Sequence, residues 1–261
     1  MNGRLIPQTR PRGNSGQTLR IFAMLFLTAG IAGKAIIENK LLGGLDFQAL
    51  LNALDVSENV QILSVIGVLA QLVQTCAIPL FAFLLVEGAR HTSCLWKYML
   101  RVGGVALISE IPYDLVYQDK WMAFGSQNPV FAMLLGLILI HFFQTYGGQK
   151  TKSLLINVLL VAVAIFWTKM LKIEDGMPIV LIITTLWFTR NRKAIQILLG
   201  CIVTCFCSTF SVANLDYFFA PLVFLFIHFY NGEKGEQNRL VNYLAYPVLL
   251  MAMWLVARYA F

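Results

Sequence analysis

Long apolar runs separated by short polar segments make up most of the chain. Repeated apolar runs of about 18 or more residues are typical of membrane-spanning helices, because about 20 helical residues cross the hydrocarbon core of a bilayer. The pattern predicts nine spans, at residues 19–37, 60–87, 97–117, 128–145, 153–171, 177–189, 194–211, 215–230 and 240–258. We therefore expect an all-α fold, a polytopic bundle of about nine transmembrane helices.

Three details refine this prediction. The sixth span is short for a bilayer of about 30 Å, and the second contains Pro79, which predicts a kink. Segment 46–54 has helical apolar spacing and is expected to lie on the membrane surface. Residues 1–20 are expected to form a mobile basic tail, and residues 21–261 a single transmembrane domain.

Composition agrees with a membrane protein. The 261 residues are 58% hydrophobic and only 13% charged, whereas a soluble domain has about 25% charged residues. The net charge of +7 does not indicate a nucleic-acid partner, because the basic residues cluster in short segments between apolar runs. There they set the topology, and the alternation of more and less basic segments along the chain predicts a cytoplasmic N-terminus. The expected partner of such a chain is a lipid bilayer.

Ionisable side chains at the end of the second span form the first candidate site. Glu87 and His91 are four residues apart, so on a helix they share a face, and Arg90 and Arg101 lie near them in sequence. A histidine beside a carboxylate can act as a general base. The same pair can also be an interfacial hydrogen bond, and the sequence leaves both readings open.

A second group lies inside the third span. Glu110 and Asp114 are also four residues apart, and Lys34 and Lys169 are expected at a similar depth. Ionisable groups in hydrocarbon usually face a partner or a cavity. A buried network of lysines and carboxylates is therefore predicted, either in a polar cavity that binds or transports a substrate or as an ion pair that fixes helix packing.

No metal site is predicted. Cys201, Cys205 and Cys207 are close in sequence, but apolar residues and a threonine separate them, and no histidine or carboxylate is near. They are interpreted as packing residues of a helix.

Several blocks together resemble a known family. They are Ile-Pro-Leu-Phe-Ala-Phe-Leu-Leu-Val-Glu-Gly at 78–88, Leu-Ile-Ser-Glu-Ile-Pro-Tyr-Asp-Leu at 107–115, Gln-Asn at 127–128, Glu-Asp-Gly at 174–176, Phe-Tyr-Asn-Gly at 229–232 and Tyr-Pro at 246–247. In this order they resemble the TraX family of integral inner-membrane proteins.

The resemblance implies a function. TraX proteins are associated with N-terminal acetylation of a conjugative pilin, which implies acetyl-CoA as the donor and a pilin-like or envelope acceptor at the bacterial cytoplasmic membrane. It implies His91 and Glu87 as candidate catalytic residues. The candidate substrate-binding residues are Arg101, Glu110, Asp114, Asn128, Asp175 and Lys34.

Two departures from the family pattern keep alternatives open. Family members typically carry an Asp-His pair in the first span, and residues 27–33 here contain neither residue type. The C-terminal Tyr-Pro-x-His pattern reads Tyr-Pro-Val-Leu at 246–249. The chain is therefore a divergent acetyltransferase, a non-catalytic membrane partner or assembly protein, or a small-molecule transporter.

Overall fold

The computed structural model describes residues 13–45, 57–146, 151–210, 217–235 and 238–260, which form helices joined by turns. Helix α1 (Gly16–Ala32) continues into a π-helical segment (Gly33–Leu41). The helices that follow are α2 (Glu58–Thr75), α3 (Ala77–His91), α4 (Leu95–Tyr117), α5 (Val130–Tyr146), α6 (Thr151–Met170), α7 (Gly176–Thr189), α8 (Lys193–Phe210), α9 (Val223–His228) and α10 (Arg239–Tyr259).

Membrane-spanning length is clearest in three helical stretches. Gly16–Leu41, Glu58–His91 and Leu240–Tyr259 are long and apolar enough to cross a bilayer. Shorter apolar helices cover Val130–Tyr146, Leu154–Met170, Gly176–Thr189 and Lys193–Cys207. Helix α4 is 23 residues long but more polar, because it carries Lys97, Arg101, Glu110 and Asp114. The predicted all-helical fold is confirmed, with three helical stretches of clear membrane-spanning length and several shorter apolar helices.

Helix α7 lies at the centre of the bundle. It packs against α3, α5, α6 and α8, and Ile179, Ile182, Ile183 and Leu186 are fully buried. A helix that is apolar on all sides is stable only where neighbouring helices or lipid surround it. The short sixth span of the prediction is therefore a core helix of about 21 Å.

The second predicted span is two helices joined at Cys76. Pro79 has no N–H to donate to the carbonyl of Thr75, one turn earlier. The Cys76 N–H instead bonds the carbonyl of Val73 at 3.1 Å, so the helix tightens and is interrupted there. The predicted disturbance of this span is observed as a break one turn before the proline.

The eighth predicted span, 215–230, is wrong as a full-length helix. Its described part has only a 3₁₀ turn at Ala220–Leu222 and the six-residue α9, together about 15 Å. The chain then leaves the helix to pair with the segment before α1, where Asn231 donates to the carbonyl of Asn14 at 3.0 Å.

The N-terminal boundary also differs from the prediction. Helix α1 begins at Gly16, after Ser15, whose hydroxyl accepts from the backbone N–H of Thr18. Residues 16–20 therefore belong to the helix and not to the predicted tail. Residues 1–12 and the predicted surface helix at 46–54 lie outside the described residues.

Small residues bring α1 and α2 into close contact. A Cβ atom added at Gly30 would overlap the side chain of Gln74. Glycine at such positions lets helix backbones approach closely in membranes. Because of this approach, Gln74 reaches across to α4, where its amide donates to the hydroxyl of Tyr117 at 2.9 Å.

We expect Gly30→Ala to displace Gln74, break its bond to Tyr117 and destabilise the protein by about 1–3 kcal/mol, as overpacking does. Gly104→Ala is the matched control, since a Cβ there meets no atom within 4 Å. The measurement is the thermal unfolding midpoint in detergent micelles. Equal midpoints for the two variants would contradict the close contact of α1 and α2.

Candidate functional site

The end of α3 carries a group of charged side chains with a histidine. Arg90 Nη1 donates to Glu87 Oε1 at 2.6 Å. His91 Nδ1 lies 3.7 Å from Glu87 Oε2, so the predicted proximity of Glu87 and His91 is confirmed. The side chain of Glu87 is 12% exposed and that of His91 is 47% exposed. The carboxylate is therefore held inward while the imidazole stays open to solvent.

The tautomer of His91 follows from its hydrogen bond. Nδ1 lies 2.9 Å from the backbone carbonyl oxygen of Glu87, in the preceding turn. A carbonyl oxygen can only accept, so Nδ1 carries the proton of the neutral ring. Nε2 is then the acceptor, and it can take a proton from another group.

Three residues from other elements join this group. Arg190 follows α7, donates to the carbonyl of Trp187 at 2.6 Å and lies 3.9 Å above its ring. Lys193 begins α8 and donates to the carbonyl of Tyr230 at 3.0 Å. We call Glu87, Arg90, His91, Arg190, Lys193 and Tyr230 the His91 cluster.

Electrostatic effects connect four members of the His91 cluster. Burial lowers the pKa of Arg190, and the nearby Arg90 guanidinium lowers it further. Burial raises the pKa of Tyr230, Glu87 adds to that shift and Arg90 opposes it. The cluster therefore holds three cations, Arg90, Arg190 and Lys193, against one carboxylate. Cations gathered in this way suit an anionic ligand.

Sequence reasoning missed Arg190, Lys193 and Tyr230. The resemblance implies in general terms that cationic loops could hold the phosphates of CoA, and segment 190–193, Arg-Asn-Arg-Lys, is one of the basic segments that set topology. Nothing local in the sequence places this segment beside α3. That placement comes from the packing of α7 against α3.

The second predicted group lies at the opposite end of α4, where Glu110 meets Asn128. The fully buried Asn128 amide donates to Glu110 Oε2 and, at 2.9 Å, to the carbonyl of Ala106. Its own Oδ1 accepts from the backbone N–H of Val130 at 3.0 Å. Glu110 Oε1 is buried and has no hydrogen-bond partner among the described residues. Asn128 therefore joins the start of α5 to α4 and fixes one oxygen of the carboxylate.

Asp114 has different hydrogen-bond partners from Glu110. It is buried, its Oδ2 accepts from the backbone N–H of Ala123 at 2.8 Å, and its Oδ1 accepts from Gln118 Nε2 at 3.2 Å. These bonds hold the loop between α4 and α5. Asp114 is thus a structural brace in this structure.

The predicted lysine–carboxylate network is wrong. Lys34 pairs with Glu38, one turn along the π-helical segment, and Gln71 also donates to Glu38 at 3.3 Å. Lys169 is exposed at the end of α6. Lys34 pairs with Glu38 and not with Glu110 or Asp114, because residues four apart on a helix share a face.

The two remaining candidates lie apart from each other. Asp175 caps α7 in a left-handed conformation with φ of 52° and is half-buried. Next to it in sequence, Glu174 accepts from Ser126 at 3.1 Å, and the Ser126 hydroxyl lies 2.9 Å from that of Tyr113. Arg101 is exposed on α4 and forms no hydrogen bond or ion pair with the described part of the chain. It does not join the His91 cluster.

The fold and these sites define an all-helical membrane protein with ionisable groups at both ends of an apolar helix bundle. The family model described as TraX protein matches residues 15–257, nearly the whole chain. The chain belongs to the TraX family. No significant match was found among curated proteins or solved structures.

Replacing Asp114 tests its role as a brace. We expect Asp114→Ala to destabilise the protein by about 1–3 kcal/mol, because the Ala123 N–H and the Gln118 amide lose their acceptor. Asp114→Asn keeps one acceptor oxygen and should lose less. The readouts are the thermal unfolding midpoint and hydrogen exchange at Ala123, with the exposed Lys120→Ala as control. Wild-type exchange in Asp114→Ala would rule out the brace.

The coupling of Glu110 and Asn128 can be measured with a double-mutant cycle. Asn128→Ala removes the side-chain donor of Glu110 Oε2 and leaves only the backbone N–H of residue 128, 3.3 Å away, so we expect a loss of about 2–3 kcal/mol. In a Glu110→Leu background that loss should shrink by about 1–2 kcal/mol. Thermal midpoints of the four proteins provide the cycle, and strictly additive effects would show that the two side chains act independently.

Proposed function

We propose that this chain is a divergent membrane acetyltransferase that uses acetyl-CoA and modifies an amine or hydroxyl of a pilin-like or envelope acceptor. The observation that carries the proposal is the His91 cluster, where a proton acceptor and three cations converge. Membership of the TraX family supports the reaction class.

His91 is the base in this proposal. Its Nε2 takes the proton that the acceptor loses as its nitrogen or oxygen forms a bond to the acetyl carbon, and it returns that proton to the sulfur when the carbon–sulfur bond breaks. Glu87 orients the ring through its backbone carbonyl and stabilises the imidazolium through its carboxylate, 3.7 Å away.

Arg90, Arg190 and Lys193 are the residues that would hold the donor. Acetyl-CoA supplies the acetyl group as a thioester, and its phosphates need cations. Guanidinium groups match phosphate geometry with two parallel hydrogen bonds. The stacking of Arg190 on Trp187 fixes the plane of that guanidinium, which lowers the ordering cost on binding.

The substrate-binding roles of the other candidates are narrower than predicted. Asp114 holds the loop between α4 and α5, and Lys34 is paired with Glu38, so we assign neither a substrate-binding role. Glu110 keeps one oxygen without a partner among the described residues and stays a candidate contact for the acceptor, together with Asn128 and Asp175. Arg101 has no supporting contact.

One observation favours the alternative of a non-catalytic membrane partner or assembly protein. His91 lies half-exposed on a helix end, whereas a cavity of about 350 Å³ in the described part of the chain lies elsewhere, between α6 and α7. Its lining is almost entirely apolar, with Leu154, Val158, Val161 and Phe188 among its residues. A transporter is less well supported, since Glu110 and Asp114 hold helices and a loop together.

Transfer of radiolabelled acetyl groups from acetyl-CoA in membranes containing the protein tests the proposal. We expect labelled acceptor with the wild type and a loss of about 10²–10⁴-fold in His91→Ala, the range of general-base catalysis. His141→Ala is the matched control, because His141 is also exposed at a helix end but lies outside the cluster. Arg190→Ala should raise KM for acetyl-CoA more than it lowers kcat.

Two results would contradict the proposal. Full transfer in His91→Ala would remove this residue from the mechanism. No transfer and no CoA binding by the wild type, while a family member with the first-span Asp-His pair works in parallel, would favour the non-catalytic alternative. A partner that co-purifies would then define the function.

A further inference from the structure

The loop between α4 and α5 displays three large apolar side chains. Trp121 is 70% exposed, Met122 is 74% exposed and Phe124 is 81% exposed. These are among the most exposed large apolar residues of the described chain. A contiguous exposed apolar patch of this kind marks an interaction surface.

The loop is held rigidly in this conformation. The buried Asp114 carboxylate accepts from Ala123 and Gln118, and its backbone carbonyl accepts from Gln118 at 2.9 Å and Lys120 at 3.4 Å. Gln118 also donates to the carbonyl of Ser126 at 2.9 Å. Asp119 adopts a left-handed conformation with φ of 50°. These bonds fix the backbone of the loop in the conformation that exposes the three apolar side chains.

Apolar side chains are also exposed on the helices next to the loop. Leu107, Ile108 and Ile111 are exposed on α4, just before the loop. The loop is also joined to the turn between α6 and α7, since Gln127 donates to the carbonyl of Lys172 and accepts from Glu174, both at 2.9 Å. The end of α6 at that turn exposes Trp167 and Met170. Apolar residues thus extend from two helices onto the loop.

We propose that the α4–α5 loop inserts Trp121, Met122 and Phe124 into the interfacial region of one bilayer leaflet. Aromatic side chains concentrate at this depth, where rings meet headgroups. Asp119 and Lys120 are exposed in the same loop and stay on its water side. The loop fixes the depth of the α4 and α5 ends, and with them the height of Glu110 and Asn128 in the membrane.

Spin labels at single cysteines test this depth. Met122→Cys, Phe124→Cys and the matched control Lys120→Cys are made in a background in which the five native cysteines are replaced. Each protein is reconstituted alone in vesicles of phosphatidylcholine and phosphatidylglycerol. We expect labels at 122 and 124 to relax faster with oxygen, which partitions into lipid, and the label at 120 with a water-soluble nickel chelate.

A second measurement avoids the cysteine background. Brominated lipids should quench the part of the wild-type tryptophan fluorescence that is lost in Trp121→Phe, while aqueous iodide should not. Labels at 122 and 124 that respond to nickel like the label at 120 would overturn the proposal, and would leave the patch free for a water-borne partner. Labels shielded from both reagents would also overturn it, since a second protein surface would then cover the patch.

Discussion

The constraint that shapes this protein is that a polar group in an apolar surrounding needs a partner, and that it pairs with the nearest suitable group. Ionisable residues inside membrane segments cost several kcal/mol when unpaired. In this chain the partners are local. Lys34 meets Glu38 one turn away, Asp114 meets the loop that follows its own helix, and Glu110 meets Asn128 at the start of the next helix. Gln71 of α2 also donates to Glu38, and the pairings of Asp114 and Glu110 tie α4 to the loop and the helix that follow it. The charges of the apolar bundle therefore mainly connect neighbouring elements.

The same constraint separates structural from chemical roles between the interior of α4 and the end of α3. Asp114 is buried and Glu110 is half-buried, and three of their four carboxylate oxygens accept from fixed donors. His91 lies at a helix end with its side chain 47% exposed, where water can solvate a change of charge. A reaction that moves protons therefore fits the His91 cluster better than the interior of α4.

How far the sequence predicts this molecule depends on how local each interaction is. Spacings of four residues or fewer account for the helices, for the helix break near Pro79 and for the pairing of Glu87 with His91. The eighth span failed at its beginning, because hydropathy does not register the left-handed conformation of Tyr217, with φ of 65°, and helix α9 starts only at Val223. The lysine network failed because depth in the membrane was used in place of contact, and Glu38 lay closer to Lys34 than either predicted carboxylate.

The His91 cluster shows which part of the site local spacing in the sequence cannot predict. Its α3 members could be predicted, while Arg190, Lys193 and Tyr230 come from segments about 100 residues or more further along the chain. Arg190 and Lys193 reach α3 because α7 is short, apolar on all sides and buried against α3, α5, α6 and α8. Tyr230 follows α9, which itself contacts α3, and its ring packs against Phe83. A central helix of only 14 residues brings its C-terminal end, and the basic segment after it, to the end of α3. The feature that made the sixth span look irregular in the sequence is therefore what assembles the cationic part of the candidate site.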